Sequence, residues 1–284
     1  MLSINTNLMA MNTARNLSEH YNQLGVSTQR LSTGLRINNA ADDAAGLAIR
    51  ELMRGEIASL NQGVRNSNDA ISLIQTADGA LQVINRKLIR MKELATQAAT
   101  GTITTDQRLI IDSEYQAMAA EITRIANTTQ FNSIHLLNGN LTGAGLVVHF
   151  GSGNIAGQDN YNIAIANSTA SALGIGNLSA PDAGHNVSIQ ATAQASIGAV
   201  EGAILAKDHI RASLGALQNR LAGTVTNLQI QAENTRAAES RISDADVATE
   251  MTAFVRNQIL SQTATAMLAQ ANALPRMAMQ LIAG

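Results

Sequence analysis

Residues 57–98 read IASLNQGVRNSNDAISLIQTADGALQVINRKLIRMKELATQA, and the spacing of their apolar positions decides the fold. Ile57, Leu60, Val64, Ser67, Ile71, Ile74, Asp78, Leu81, Asn85, Leu88, Met91, Ala95 and Ala98 follow one another by threes and fours. That alternation keeps side chains on one narrow helical seam, the kind that coiled coils bury. A helix of roughly 40 residues is about 60 Å long, too long for a compact domain unless other rods lie beside it. Ser67, Asp78 and Asn85 interrupt the stripe with polar groups, which suits register-setting positions or the stripe's edge.

Rods of the same kind lie on either side. Leu17, Tyr21, Leu24, Thr28, Leu31 and Leu35 step by four and three near the N-terminus; Leu260, Ala264, Met267, Ala271, Leu274, Ala278 and Leu281 do so near the C-terminus. Asn38, Asn39, Asp42 and Asp43 read as a break and a new helix start, and Gly101 to Thr105 as another. Ile111, Tyr115, Met118, Ile122 and Ile125 form a shorter stripe, and Ile210, Leu214, Leu217, Leu221, Val225, Leu228 and Ala232 a late one. Rods with short or distant connections make a bundle. A terminal seam cannot be satisfied by an isolated helix in water. Leu17, Leu24, Leu31, Leu35, Leu260, Met267, Leu274 and Leu281 are therefore the candidate assembly seam.

The centre differs in kind. From about 132 to 195 the chain is rich in Gly, Asn, Ser, Thr and Ala and holds no Lys, Arg or Glu. Tyr161, Ile163 and Ile165 alternate with Asn162 and Ala164, a period-two strand signal. Leu146 to Phe150 and Asn186 to Ala191 are weaker strand candidates, and Pro181 sits between turn-formers. The fold class is mainly α, an elongated coiled-coil or helical bundle with a small β-hairpin-rich tip.

Composition narrows the function. Hydrophobic residues are 45% of the 284, yet aromatics are 2%, with no Trp and only Phe131, Phe150 and Phe254 as Phe. Ala, Leu, Ile, Val and Met carry the apolar share, which suits thin helical layers better than a wide core. With 19 basic and 21 acidic residues, three of them lysines (Lys87, Lys92, Lys207), there is no basic stripe for nucleic acid. The absence of cysteine removes disulfides and thiolate chemistry. No run is long and apolar enough to insert in a membrane, and Met1 to Ala14 lack a signal-peptide pattern, so composition alone points to the cytosol.

Chemical motifs are weak. Gly151, Ser152, Gly153, Asn154, Ile155 and Ala156 fit a dinucleotide-type glycine pattern after a strand, but no helix pattern follows and no acid lies between Ala164 and Ala180. A hairpin loop explains them better. His20, His135, His149, His185 and His209 never fall at i, i+4, so they do not form a zinc signature. Asp244 and Asp246 before Val247 and Met251 read as helix capping rather than a cation site. No catalytic residue, metal ligand or cofactor is assigned, and the chain reads as a non-enzyme. Asn-x-Ser/Thr triplets at Asn140, Asn167, Asn177 and Asn186 are what such a composition produces.

Particular residues carry more than the pattern. Ile4, Asn5, Thr6 and Asn7 match the opening of bacterial flagellins. So does Arg30 to Ile49, RLSTGLRINNAADDAAGLAI, with Gln130, Phe131 and Asn132. Ser240, Arg241 and Ile242 with Asp244, Asp246, Ala248 and Glu250 match as well. So do Leu268, Ala269, Gln270, Ala271 and Asn272 before Pro275. Over about 1–140 and 195–284 the chain resembles the flagellin family.

The resemblance implies a hairpin-shaped subunit that polymerises with copies of itself into the flagellar filament for swimming. Residues 1–43 and 244–284 would form an inner terminal coiled-coil domain, and 44–140 with 195–243 a helical rod. Residues 141–194 would be a short β-hairpin-rich segment where other members carry large outer domains. The terminal seams would be disordered until neighbours order them. It further implies unfolded export through a type III apparatus without a cleaved signal peptide, and an extracellular location that overrides the cytosolic reading. The implied partners are an export chaperone, the filament cap and hook-junction proteins. By the same resemblance Arg90, Leu94, Gln97 and Glu114 match a contact patch for Toll-like receptor 5. A hook–filament junction protein, which shares the terminal helices, is the alternative.

Overall fold

The computed structural model describes residues 6–143, 145–176 and 185–283, with side chains up to 273 and at Met277. Pro181 and Asn177 lie outside the described residues. Among those described there are five helices and two short antiparallel hairpins: α1 (Leu8–Thr33), α2 (Ala44–Ala99), α3 (Thr105–Thr128), β1 (Gln130–Phe131), β2 (Ile134–His135), β3 (Leu146–His149), β4 (Asn160–Ile163), α4 (Gln190–Ser243) and α5 (Val247–Ala283). The chain divides into two compact units, one of Met1–Ile57 with Glu233–Gly284 and one of Ala58–Ala232.

The Ala58–Ala232 unit holds the apolar core. The buried seam of α2 is Leu60, Gly63, Ser67, Ala70, Ile74, Ala77, Leu81, Ile84, Leu88, Met91, Ala95 and Ala98, three and four apart throughout. Val64, Ile71, Asp78 and Asn85 stand one residue off that seam and are only half-buried. The sequence admits both phasings because Leu60, Ser67, Ile74, Leu81 and Leu88 belong to each. The packed phasing puts Gly63, Ala70 and Ala77 at the alternate positions, where small side chains let neighbouring elements come close. The limit is reached at Gly63, where a Cβ would run into the carbonyl oxygen of Phe150.

Asp78 and Asn85 are edge residues with partners on α4. Arg211 Nε donates to Asp78 Oδ1 at 2.6 Å, and Lys207 Nζ donates to Asn85 Oδ1 at 2.7 Å. The Arg211 hydrogen bond holds the Asp78 carboxyl below the usual carboxylate range. Lys207 is otherwise buried and keeps its charge paired with Asp208 at 2.6 Å, as a buried ammonium requires. These pairs fix which turn of α4 meets which turn of α2.

α3 closes the core with Tyr115, Ala119, Ile122, Ile125 and Ala126. Thr104 and Gln107 form a reciprocal capping box at its start. Arg108 reaches back to the Ala98 and Thr100 carbonyls at 2.9 and 2.8 Å, satisfying acceptors at the end of α2. Burial pushes the Tyr115 phenol up to about 12, with a hydrogen bond to Ser196 acting in the opposite sense.

The hairpins follow from turn chemistry. β1 and β2 are joined by Asn132 and Ser133, both at positive φ (47° and 65°), the conformation a two-residue hairpin turn demands. β3 and β4 pair from Leu146↔Ile163 to His149↔Asn160; β4 covers the start of the alternating run at 161–165, and β3 is the weaker candidate at 146–150. The glycine pattern at 151–156 is the loop between them. Its chain folds around Asp159, whose carboxylate accepts the Ile155 N–H at 2.8 Å while its carbonyl accepts those of Phe150 and Gly151. Phe150 and Tyr161 pack as a tilted pair with ring centroids 4.6 Å apart and Arg220 over the Tyr161 ring at 4.3 Å, and Leu60, Leu228 and Ala232 complete this small second cluster. The strand expected over Asn186–Ala191 is not formed. Gln190 opens α4 there, because Ala193, Ser196, Val200 and Ala203 already keep the helical step into the core.

Candidate assembly interface

In the unit of Met1–Ile57 and Glu233–Gly284, α1 packs on α5. The α1 positions turned toward the pair are Ala10, Thr13, Leu17, His20, Leu24, Ser27 and Leu31, again three and four apart. On α5 they are Asn257, Ser261, Ala264, Leu268 and Ala271. Asn7 ties the ends together: its side chain accepts the Ala10 N–H at 3.0 Å and donates to the Ala271 carbonyl at 2.8 Å.

The expected seam is therefore placed in three ways. Leu17, Leu24 and Leu31 lie half-buried on the helix pair. Leu260 and Met267 are on the outside, 37% and 57% exposed, and Tyr21 and Thr28 are exposed as well. The side chains of Leu274, Ala278 and Leu281 lie outside the described residues. The reason is again phasing: the α1–α5 contact takes Leu17, Leu24, Leu31 and Leu268 together with small and polar residues, and leaves many other large apolar ones facing out.

Leu35 lies beyond the end of α1 and pairs with Asp244 in an isolated antiparallel bridge. The segment between α1 and α2 is held there at close range. Gly34 ends α1 in the left-handed conformation at φ 72°, which a glycine adopts without strain. Its carbonyl accepts the Ala245 N–H at 2.9 Å, and the Arg36 N–H donates to the Ser243 carbonyl at 2.7 Å. The Arg36 guanidinium donates to the Ile242 carbonyl at 2.8 Å. Asp42 accepts the N–H groups of Asn39 and Asn38, which hold its carboxyl below the usual range. Asp43 caps α2 through Gly46 N at 2.8 Å. Ile37 is fully buried, and its carbonyl receives the buried Arg50 at 2.8 Å. Arg54 meets Glu239 at 3.1 Å and Arg30 meets Glu250 at 3.5 Å. The residues of 30–49 thus build a joint that pairs the two connectors. Asp246 caps α5 through the N–H groups of Ala248 and Thr249, as the capping reading expects, whereas Asp244 caps no helix and instead accepts the Ser240 and Ser243 hydroxyls at the end of α4.

What this unit leaves exposed matters most. Among its described residues Ile37 and Ala271 are the buried apolar side chains, while Ser27, Arg50, Ser243, Asn257 and Ser261 are the buried polar and charged ones. Leu8, Met9, Met11 and Val26 on α1 and Ile49 and Leu52 on α2 are exposed, as are Val247, Met251, Val255, Ile259, Leu260 and Met267 on α5. Leu52 is 75% exposed. A helix apolar on both faces is a helix that is buried on both faces in its working state. The signal was present in the sequence as a second stripe, Val247, Met251, Val255 and Ile259 at steps of four, running beside the one read for α5.

In the Ala58–Ala232 unit, the receptor-type residues are brought together only in part. Arg90 donates to Glu114 and Glu93 at 2.9 and 3.0 Å, and Gln97 is exposed on the same helix. Leu94 is 1% exposed and packs in the core, so this arrangement does not present it to a partner. No group of three His, Cys, Asp or Glu able to hold a metal ion occurs among the described residues.

The family model for the bacterial flagellin N-terminal helical region matches residues 4–142, and that for the C-terminal helical region matches 197–282. A flagellin of Halalkalibacterium halodurans is 43% identical over 279 residues, covering 98% of this chain and 99% of that one. A flagellin of Bacillus subtilis is 42% identical, covering 99% and 100%. A putative flagellar hook-associated protein of Vibrio parahaemolyticus has a similar structure (TM-score 0.57, 15% identity, 72% and 100% covered), which shows a shared fold. With both terminal regions matched and the similarity running almost end to end, this chain belongs to the bacterial flagellin family, a family of structural filament subunits.

Proposed function

We propose that this chain polymerises through the outer faces of α1 and α5, and that filaments of it serve swimming motility. The observation that carries the reading is the imbalance in the terminal unit: Leu8, Met9, Met11, Val247, Met251 and Ile259 are exposed, while Ile37 and Ala271 are the buried apolar side chains among its described residues. Such a pair buries too little apolar area to offset the entropy of ordering it, so neighbouring copies must supply the rest. Folding of the ends is then coupled to assembly, and the ends are disordered before it. On this reading residues 1–43 and 244–284 are the inner terminal domain, 44–140 with 195–243 the rod, and 141–194 the short hairpin segment. The chain leaves the cell unfolded by the flagellar type III route, escorted by a chaperone, and adds beneath a cap on a filament that starts at hook-junction proteins. Its location is extracellular.

The test is electron microscopy of the purified chain at high concentration after seeding. Long filaments are expected, whereas persistent monomers would overturn the reading in favour of a junction protein.

The free monomer is proposed to engage Toll-like receptor 5 through the face that carries Arg90, Gln97 and Glu114. The exposed position of the three and the Arg90–Glu114 ion pair support it. A receptor-reporter assay is expected to respond to folded monomer and to weaken at least about tenfold for Arg90→Ala, the usual scale for losing an interface arginine. No response to correctly folded chain would remove this part of the proposal.

A further inference from the structure

Methionine is the chain's sulfur residue, present ten times in the absence of cysteine. Its distribution is uneven. Met9 and Met11 on α1, and Met251, Met267 and Met277 on α5, are exposed. On the rod, Met91 is fully buried and Met118 half-buried, and Met53 at the start of α2 is half-buried. Among the described residues every exposed methionine therefore lies on a terminal helix, on the surface that assembly must cover.

We infer that these five thioethers form a peroxide-sensitive modification site that controls whether the monomer can assemble. The inference rests on the proposed polymerisation through α1 and α5. A methionine sulfur lone pair attacks one oxygen of a hydroperoxide. The O–O bond breaks, an S–O bond forms, and proton transfer lets the second oxygen leave as water (as an alcohol from an organic peroxide). Sulfur loses two electrons and the peroxide gains them. The product sulfoxide is polar and a strong hydrogen-bond acceptor, and it is costly to bury in an apolar contact with no donor opposite. Met91, in the rod's core, is spared because it is shielded from solvent. The monomer stays folded through residues 58–232 while its assembly surface is changed. Once polymerised, the same sulfurs are covered, so the site is open only before assembly.

The experiment treats the full-length monomer with hydrogen peroxide, maps sulfoxides by peptide mass spectrometry, and follows seeded polymerisation by sedimentation. Sulfoxide is expected at Met9, Met11, Met251, Met267 and Met277 with Met91 spared, and the sedimented fraction should fall at least about tenfold. The combined variant with Leu at the five positions, a volume-conserving change, should assemble before and after peroxide. Treatment of oxidised wild type with methionine sulfoxide reductases should restore assembly, which decides the matter if the leucine variant assembles poorly. Preformed filaments should be oxidised much less at the five positions. Undiminished polymerisation of fully oxidised chain, or an equal loss in the leucine variant, would overturn the inference and leave the assembly reading standing. An unoxidised chain that formed no filament would overturn both.

Discussion

A chain cut to residues 44–243 is expected to remain a folded, helical monomer and to add to no filament. The expectation follows from where apolar burial is placed. Both hydrophobic clusters draw their residues from within 60–232, so the cut leaves them whole. What it removes is α1, α5 and the joint between the connectors, whose own apolar burial among the described residues amounts to Ile37 and Ala271. Circular dichroism and sedimentation of the shortened chain, with seeds present, check both halves. Helical signal should stay high, with cooperative melting, and filament yield should drop to background. A shortened chain that elongated seeds would move the assembly surface to the rod. One that unfolded would mean that the rod depends on the ends.

The second large effect is expected at a single glycine. Gly63→Ala places a Cβ against the carbonyl of Phe150, and backbone cannot swing aside as the tip of a side chain can. The end of β3 and the Phe150–Tyr161 pair must shift, at a cost of about 2–4 kcal/mol. Gly79 in the same helix is exposed and has open space where its Cβ would be. Gly79→Ala should therefore stabilise by about 0.5–1 kcal/mol, the ordinary gain from alanine in a helix interior. Urea unfolding of the two variants should move the midpoint in opposite directions. Equal midpoints would mean that the hairpin does not lie on α2 as described.

Much of this architecture was legible in the sequence, and the residues show where legibility ended. The helices announced themselves by period, the breaks at Asn38–Asp43 and Gly101–Thr105 by turn chemistry, and β4 by alternation, while β3 gave a weaker strand signal. The phase of the seams did not. Leu60, Ser67, Ile74, Leu81 and Leu88 fit two phasings, and the large side chains Val64 and Ile71 drew attention from Gly63 and Ala70, which the packing uses. Periodicity reports that a stripe exists, but the close approach of a neighbour chooses the smaller residues beside it. At the termini Tyr21, Leu260 and Met267, read as seam, are exposed on the helix pair. An apolar residue left outside by the pair is one that another copy can cover. The β1–β2 hairpin was missed because its strands are two residues long, although Asn132–Ser133 between Phe131 and Ile134 is a usable turn signal. The joint built by Gly34, Arg36, Asp42, Asp43 and Arg50 was visible as an unusual run of residues, but its purpose needed the partner segment at 242–245, some two hundred residues away.

The claim at the centre is that the outward apolar faces of the terminal helices drive assembly. Val255 and Ile259 stand one turn apart on α5, both exposed and away from the α1 contact. The double variant Val255→Asp with Ile259→Asp should leave the free monomer within about 0.5 kcal/mol of the parent, as surface changes do. In the filament the same changes would bury two carboxylates, so elongation from wild-type seeds should fall at least about a hundredfold. The measurement is the seeded elongation rate of this folded variant beside the parent. A collapse of that rate is the predicted result, and elongation at the parent's rate would contradict the account.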